Sequence, residues 1–276
     1  MIGGCGFLGT ALSAKLDCDI VSRQGPLTHE AFFSPEIFCQ YDIVINLSGR
    51  SIDTWPWTEK TKEDLVLSRT KTIERLCRTA HQTQHHPWLI QASGISYYGL
   101  FEQSIHQQSE YDPPEESYTF MQTLTFIIEK SLKAYPGLTT TLRIAPVLAK
   151  DQGLLPKLLL LSKLGIHMVP GSGLQTLPWI ALPDFVDGCL WVIAHNITGP
   201  VNIVAPEAIT INDFYQEVKN RQGGLKCRLP KWLYSIPLGQ MSQLILMGTK
   251  ATPLVLENNG YKFQYRHIKK LLKDFS

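Results

Sequence analysis

The chain has 276 residues, enough for one large α/β domain, or for a domain with a smaller appendage, around a full hydrophobic core. With 44% hydrophobic and 18% charged residues and a net charge of +2, it has neither the basic excess nor the Lys/Arg stripe of a nucleic-acid binder. Cys5, Cys18, Cys39, Cys77, Cys189 and Cys227 form no C-x-x-C pair and the eight histidines are dispersed, which argues against a metal site or a disulfide framework and for reduced thiols in a cytosol.

The opening run, "MIGGCGFLG", spaces Gly3, Gly6 and Gly9 by three and leads into a helical pattern from Phe7 to Lys15. Short β-branched runs follow, "CDIVSR" and then "YDIVINLSG", each ending in small or polar residues. A long helix is expected over 59–81, a strand at "HPWLIQASG", a helix over 117–133 and a strand at "LTTTLRIAPVL". "LLPKLLLLSKLG", the most apolar stretch, is broken by Pro156, Lys157 and Lys163 and is too short to span a bilayer. A loop-rich segment over about 150–178, a helix over 182–194 and the strand "GPVNIVAP" complete this part. From Ala208 onward helical stretches are punctuated by Pro230, Pro237 and Pro253, with no convincing parallel strand. The start has no secretory pattern, so a cytoplasmic protein with no membrane partner is expected; a homodimer is left open.

Apolar strands alternating with helices predict a parallel sheet covered on both faces, doubly wound, with a smaller and mostly helical C-terminal domain. The boundaries read as 1–206 for the sheet domain, with 150–178 contributing to a cleft, and 207–276 for the appendage. The glycine triplet is suited to a dinucleotide turn: Gly3 for the bend, Gly6 for backbone approach to a pyrophosphate, Gly9 for close helix packing, with Phe7 and Leu8 opening the helix. At the end of the second strand Arg23 stands where an acidic residue would select NAD; a cation there suits the 2′-phosphate of NADP(H), unless it is a solvated loop residue. Leu47, Ser48 and Gly49 end the next strand, where small residues would lie against the adenine ribose. Ser93 ends the strand after it and reads as a hydrogen-bonding partner of the cofactor or of the backbone.

These motifs together resemble the NAD-dependent epimerase/dehydratase family, an atypical branch of the extended short-chain dehydrogenases/reductases, and within it the epimerase-like proteins with a C-terminal domain of unknown function. "GGCGFLG", "NLSGRSI" with Trp57-Thr58 and Ser68-Arg69, "ASGISYYG", "LRIAPVL", "VPGSGLQTLPWI" with Asp184, "LPKWLYSIPLGQM" and "LMGTKATPLVLENNGYKFQY" stand in the family's order over essentially the whole chain. The resemblance implies a Rossmann domain binding NADP(H), a small carbonyl or sugar-like substrate, and a Tyr-x-x-x-Lys pair as proton relay. Registering the helix on Glu129 puts the tyrosine position at Met121, the lysine position at Thr125 and the catalytic hydroxyl at Gly94, so all three are replaced. Ser93 and Tyr98 are the substitute catalysts proposed, with Ser96, Tyr97 and Tyr118 in reach. Of Tyr97 and Tyr98, one is expected in the core and the other on the cleft.

Arg69 reads either as a salt-bridge former or as an anion contact, Arg143 as partnered or ligand-facing, and Cys5 as a small lining residue. Ala181 replaces a histidine usual in the family. Two functions follow: an oxidoreductase or epimerase with a non-standard acid/base, or a catalytically silent NADP(H)-binding sensor or regulator. Because only Met1 and Ile2 precede Gly3, further apolar residues upstream are expected to complete the first strand.

Overall fold

The computed structural model describes residues 1–23, 25–103 and 106–275. In chain order it contains α1 (Phe7–Ser13), β1 (Val21–Ser22), β2 (Leu27–Thr28), α2 (His29–Phe32), α3 (Pro35–Phe38), β3 (Ile43–Asn46), α4 (Glu59–His81) and β4 (Trp88–Gly94). Then come α5 (Phe120–Leu132), β5 (Thr139–Ile144), β6 (Val147–Leu148), α6 (Leu155–Leu159), β7 (Ile166–Pro170), β8 (Thr176–Leu177), β9 (Ile180–Ala181), α7 (Leu182–Ala194) and β10 (Gly199–Ile203). The C-terminal part holds β11 (Ile209–Thr210), α8 (Ile211–Gln222), β12 (Leu225–Leu229), α9 (Trp232–Leu238), α10 (Gln243–Leu246), α11 (Leu254–Asn258) and α12 (Ile268–Asp274).

The central sheet is parallel, in the order β3-β4-β5-β10. Ile2 extends it by bridging β1 on one side and Asn46 on the other: its N–H donates to Ile45 O (2.9 Å), and its carbonyl accepts from Leu47 N (2.9 Å). With Met1–Ile2 counted as the first strand, the spatial order is the doubly wound one, third-second-first-fourth onward. Ile2 is fully buried, and the Met1 amino group donates to Asp19 O.

Alternation sorts the strand residues onto two faces. Val44 and Leu89 pack with Ile73, Leu76, Leu124 and Ile128 of α4 and α5, whereas Ile45, Ile90, Leu142 and Val201 pack with Phe185, Val192 and Phe214 of α7 and α8. Each large side chain so buried contributes about 1.5–3 kcal/mol over exposure. Helix starts are set locally: Thr58 accepts from Thr61 N ahead of α4, and Thr119 from Gln122 N ahead of α5.

One expectation is corrected. The tail does contain a parallel strand: β12 pairs with β7 from Leu225↔Ile166 to Leu229↔Pro170. Its segment "LKCRL" lies in a two-stranded ribbon open to solvent, so lysine and arginine alternate with apolar residues and the run lacks the β-branched signature of a buried strand. β11 likewise pairs antiparallel with β8, so the loop-rich segment and the tail interleave.

The C-terminal end is pinned by Asp184 on α7, which is 1% exposed. Its carboxylate accepts from Gln264 N (2.6 Å), Tyr265 N (2.7 Å) and Tyr261 Oη (3.1 Å). Replacing Asp184 by alanine is expected to cost about 1–3 kcal/mol for each donor left unsatisfied, read as a lower urea midpoint. An unchanged midpoint would show that the tail is held by packing alone.

Candidate functional site

Gly3 has φ +81°, and a Cβ there would come within 2.7 Å of the Leu47 carbonyl carbon, so the turn and the β3 exit are pressed together at the point where strand order reverses. A Cβ on Gly9 would lie 2.3 Å from Gly3 O, so the third glycine lets α1 close onto the turn. Gly6, by contrast, has only Gly3 O nearby, at 3.4 Å, and faces open space; it precedes α1, whose N-terminus no side chain caps. An open backbone cradle at an uncapped helix start fits a pyrophosphate. Phe7 and Leu8 are half-buried beside it.

The β3 exit is held from below. Asn46 is fully buried; it donates to Gln91 Oε1 (2.7 Å) and accepts from both the N–H and the hydroxyl of Ser48 (3.1 and 2.6 Å). Gly49 packs on the Arg69 guanidinium, where an alanine methyl would come within 2.8 Å of Cζ. Arg69 donates to Leu65 O, Ser68 Oγ and Arg50 O, and no carboxylate is among these partners. Burial holds its pKa down to about 10. Of the two readings of Arg69, no ion pair is found among the described residues, and the guanidinium donates to backbone carbonyls at the edge of the glycine turn. Arg23 lies exposed just past β1, and together with Arg75 it helps to lower the pKa of His29, after burial.

Ser93 and Tyr98 are drawn into a buried polar network. Arg143 on β5, 4% exposed, makes a forked pair with Glu129 on α5: Nε to Oε1 3.0 Å, Nη2 to Oε2 2.9 Å. Ser93 donates to Glu129 Oε1 (3.1 Å), and Arg143 Nη1 donates to the Tyr98 hydroxyl (2.8 Å), which in turn donates to Asn202 Oδ1 (2.9 Å). Asn202 N donates to Glu110, whose second oxygen is buried without a hydrogen-bond partner among the described residues. Burial works against the Arg143 charge, but Glu129 outweighs it and the pKa is raised; burial pushes the Tyr98 phenol up to about 12. Tyr98 is fully buried, so of the tyrosine pair it is the core member, while Tyr97 is half-buried with its ring 3.5 Å from the Arg143 guanidinium carbon.

The positions that the resemblance registers for the relay, Met121 and Thr125, are both buried. Met121 is buried and its N–H donates to Gln243 Oε1 (3.5 Å), and the Thr125 hydroxyl donates to Gln122 O (2.8 Å) inside its own helix. Ser96 donates to Met121 O, and Tyr118 is solvent-exposed with φ +51°. Cys5 is exposed, and Ala181 is buried at the start of α7. Sequence reasoning missed Glu110, Asn202 and the pinning role of Asn46 with Gln91; strand-end amides with neighbours on parallel strands were the available signal for the last pair. Among the described residues no group of His, Cys, Asp or Glu could hold a metal ion, and no helix is long and apolar enough to cross a membrane.

A doubly wound parallel sheet with a glycine turn at its switch point defines the Rossmann class of dinucleotide-binding folds. The chain belongs to the NAD dependent epimerase/dehydratase family, whose model matches residues 1–205, and a domain of unknown function, DUF1731, matches 229–275. It is similar to the epimerase family protein YfhF of Bacillus subtilis, at 30% identity over 97% of this chain and 94% of that protein. It is also similar to the mouse epimerase family protein SDR39U1, at 28% identity over 99% of this chain and 97% of the other. The crystal structure of human SDR39U1 (isoform 2) with NADPH superimposes with a TM-score of 0.88 at 26% identity, covering 99% of this chain and 97% of that one.

Replacing Glu129 by alanine leaves Arg143 buried and uncompensated and is expected to cost about 3–5 kcal/mol by chemical denaturation; a loss under about 1 kcal/mol would mean that Tyr98 and solvent suffice for the arginine. The raised Tyr98 pKa gives a sign that can be checked. Its contribution to stability is fully present below the unfolded phenol pKa of about 10 and is lost as pH rises through about 12. Tyr98→Phe should therefore make the fall in stability over that window shallower, measured as denaturation midpoints against pH.

Proposed function

We propose that this protein binds NADP(H) across the glycine turn and does not run the Tyr/Lys-assisted hydride chemistry typical of short-chain dehydrogenases. The observation that carries this reading is the buried network: both candidate hydroxyls, Ser93 and Tyr98, are committed to Glu129, Arg143 and Asn202, while Met121 and Thr125 fill the relay positions. Gly3, Gly6, Phe7, Leu8 and Gly9 would hold the pyrophosphate, Leu47, Ser48 and Gly49 the adenine ribose, Arg23 the 2′-phosphate, and the Ser93 strand end the nicotinamide side. The cofactor, when bound, supplies a hydride donor or acceptor; this chain's residues bind and orient it. In this reading residues 1–206 form the cofactor domain, and 150–178 with 207–276 frame the second side of the cleft. The NADPH-bound human relative supports the cofactor assignment.

A second reading, an oxidoreductase or epimerase of small carbonyl or sugar-like compounds with a non-standard acid/base, keeps its support from the complete sheet edge and the family's fold. Titrating the protein with NADPH and then following NADPH absorbance over a panel of carbonyl compounds separates the two. A tight, unreactive complex supports the first, and steady consumption that Tyr98→Phe or Ser93→Ala reduces supports the second.

Arg23→Ala should weaken NADPH binding ten- to a hundredfold, about 1.5–3 kcal/mol, and leave NADH binding almost unchanged by calorimetry. Equal losses for both cofactors would remove Arg23 from the 2′-phosphate. Met121→Ala and Thr125→Ala should keep NADPH affinity within about threefold, less than about 0.7 kcal/mol; a hundredfold loss from either would place the cofactor against α5 and overturn the silent-relay reading.

A further inference from the structure

One corner of the sheet edge gathers positive charge from three elements. Ser22 and Thr28 are partners in the parallel β1–β2 ladder, so Arg23 and His29 are the next residues off its carboxyl end, on strands about 5 Å apart. The Thr28 hydroxyl accepts from Ala31 N (3.2 Å), which starts α2 at His29. From the opposite side α4 brings Arg75, whose guanidinium carbon lies 4.2 Å from the centroid of the Phe33 ring. Phe33 is buried, its ring centroid is 6.4 Å from that of His29, and its carbonyl accepts from the Thr79 hydroxyl of α4 (3.4 Å). A guanidinium stacked on a ring keeps its N–H edges free for a ligand.

Among the described residues neither Arg23 nor Arg75 is bonded to a carboxylate, unlike Arg50, Arg143 and Arg266. A hollow of about 320 Å³ beside Arg75 is lined by Phe33, Lys71 and Arg78, with Glu74 the one carboxylate on its wall. The His29 ring feels this charge: after burial, Arg75 and Arg23 lower its pKa, while exposed Glu30 on its own helix opposes them. Arg69 also lacks a carboxylate among the described residues, but it stands six positions earlier on α4, about 240° round the helix, with its donors spent beneath Gly49. Two guanidinium groups and an imidazole brought together without a bonded acid repel one another, and a dianion between them removes the repulsion. A phosphate monoester carries close to two charges near neutral pH, and guanidinium edges bind it in a fork.

We propose that the 2′-phosphate of the dinucleotide sits between Arg23 and Arg75 with His29 as its third contact, and that His29 takes up a proton as the phosphate binds. Arg75 and His29 then decide for NADP(H) over NAD(H) together with Arg23. The preference strengthens as pH falls from about 8 to about 6.5, below which the phosphate itself begins to protonate. The sign follows from the histidine: its lowered pKa leaves it neutral in the free protein at neutral pH, and it gains a proton beside the dianion, so acid favours the bound state. The proposal rests on the cofactor lying along the glycine turn, which brings its adenine ribose to the ends of β1 and β3.

The test is calorimetric titration of the full chain with NADP⁺ and with NAD⁺, at about pH 6.5 and about pH 8, in buffers of differing ionisation heat. It is repeated on Arg75→Ala, on His29→Gln and, as a control for general loss of charge, on Arg78→Ala; Arg75→Gln replaces the alanine variant if that one lowers the melting temperature. Expected for Arg75→Ala is a loss of at least about tenfold for NADP⁺ and less than about threefold for NAD⁺, with Arg78→Ala changing neither by more than about threefold. The wild type should bind NADP⁺ at least about threefold more tightly at the lower pH, with proton uptake, and His29→Gln should lose both effects. A preference for NADP⁺ that Arg75→Ala leaves intact overturns the proposal, as does an equal loss in Arg78→Ala or proton uptake that persists in His29→Gln. Binding of both dinucleotides without preference removes the phosphate from this corner and leaves the cofactor reading standing. No heat from either overturns that reading and the proposal with it.

Discussion

A guanidinium inside a parallel sheet needs a carboxylate delivered by another element, and here the requirement falls on Arg143 of β5 and Glu129 of α5. The two stand fourteen positions apart on consecutive elements, and they meet because α5 packs back over the sheet. Once the pair forms, its remaining hydrogen-bonding capacity recruits whatever polar groups stand nearby: Ser93 on the carboxylate, Tyr98 on the guanidinium, then Asn202 through the phenol. The network ties β4, β5, β10 and α5 together at the carboxyl edge of the sheet. The cost of burying two charges fixes the geometry, because removing either Arg143 or Glu129 leaves the other charge buried without its partner.

That constraint explains why the edge has the outline of an enzyme without the usual relay. The resemblance to short-chain dehydrogenases implies a tyrosine and a lysine at Met121 and Thr125 of α5. Here α5 turns Met121 toward the C-terminal segment and keeps the Thr125 hydroxyl within its own helix turn. The space is closed by packing and the polar groups are spent on structure. What remains open is the backbone: the turn at Gly6, the uncapped start of α1 and the β3 exit braced by Asn46 and Arg69. In the proposed reading, binding depends on backbone groups and on close approach, which the three glycines permit.

Much of this was legible in the sequence. The helices over 59–81 and 182–194 coincide with α4 and α7, since the Thr58 cap of α4 and the apolar periodicity of both are local, and the five main strands follow from short apolar runs ending in small residues. The glycine spacing places the turn because φ and close approach at Gly3 and Gly9 are demands that only glycine meets. Arg143 was marked out by being charged within an apolar strand, although its partner was not.

Only the tertiary structure decided the rest. That Tyr98 and not Tyr97 is in the core depends on which side of one short helical turn faces β10, a matter of a single rotation that periodicity does not resolve. The pairing of β12 with β7 joins residues some sixty positions apart in a solvent-facing ribbon, where alternating lysine and arginine hide the strand. Arg69 illustrates the same division: its place behind Ser68 is written in the chain, but that its partners among the described residues are carbonyls and a hydroxyl, not a carboxylate, follows from where α4 sets it beneath Gly49. Local propensity and backbone demands act over a few residues and can be read directly; pairing of buried charges and of exposed strands is settled by which elements meet, and that is a property of the folded chain.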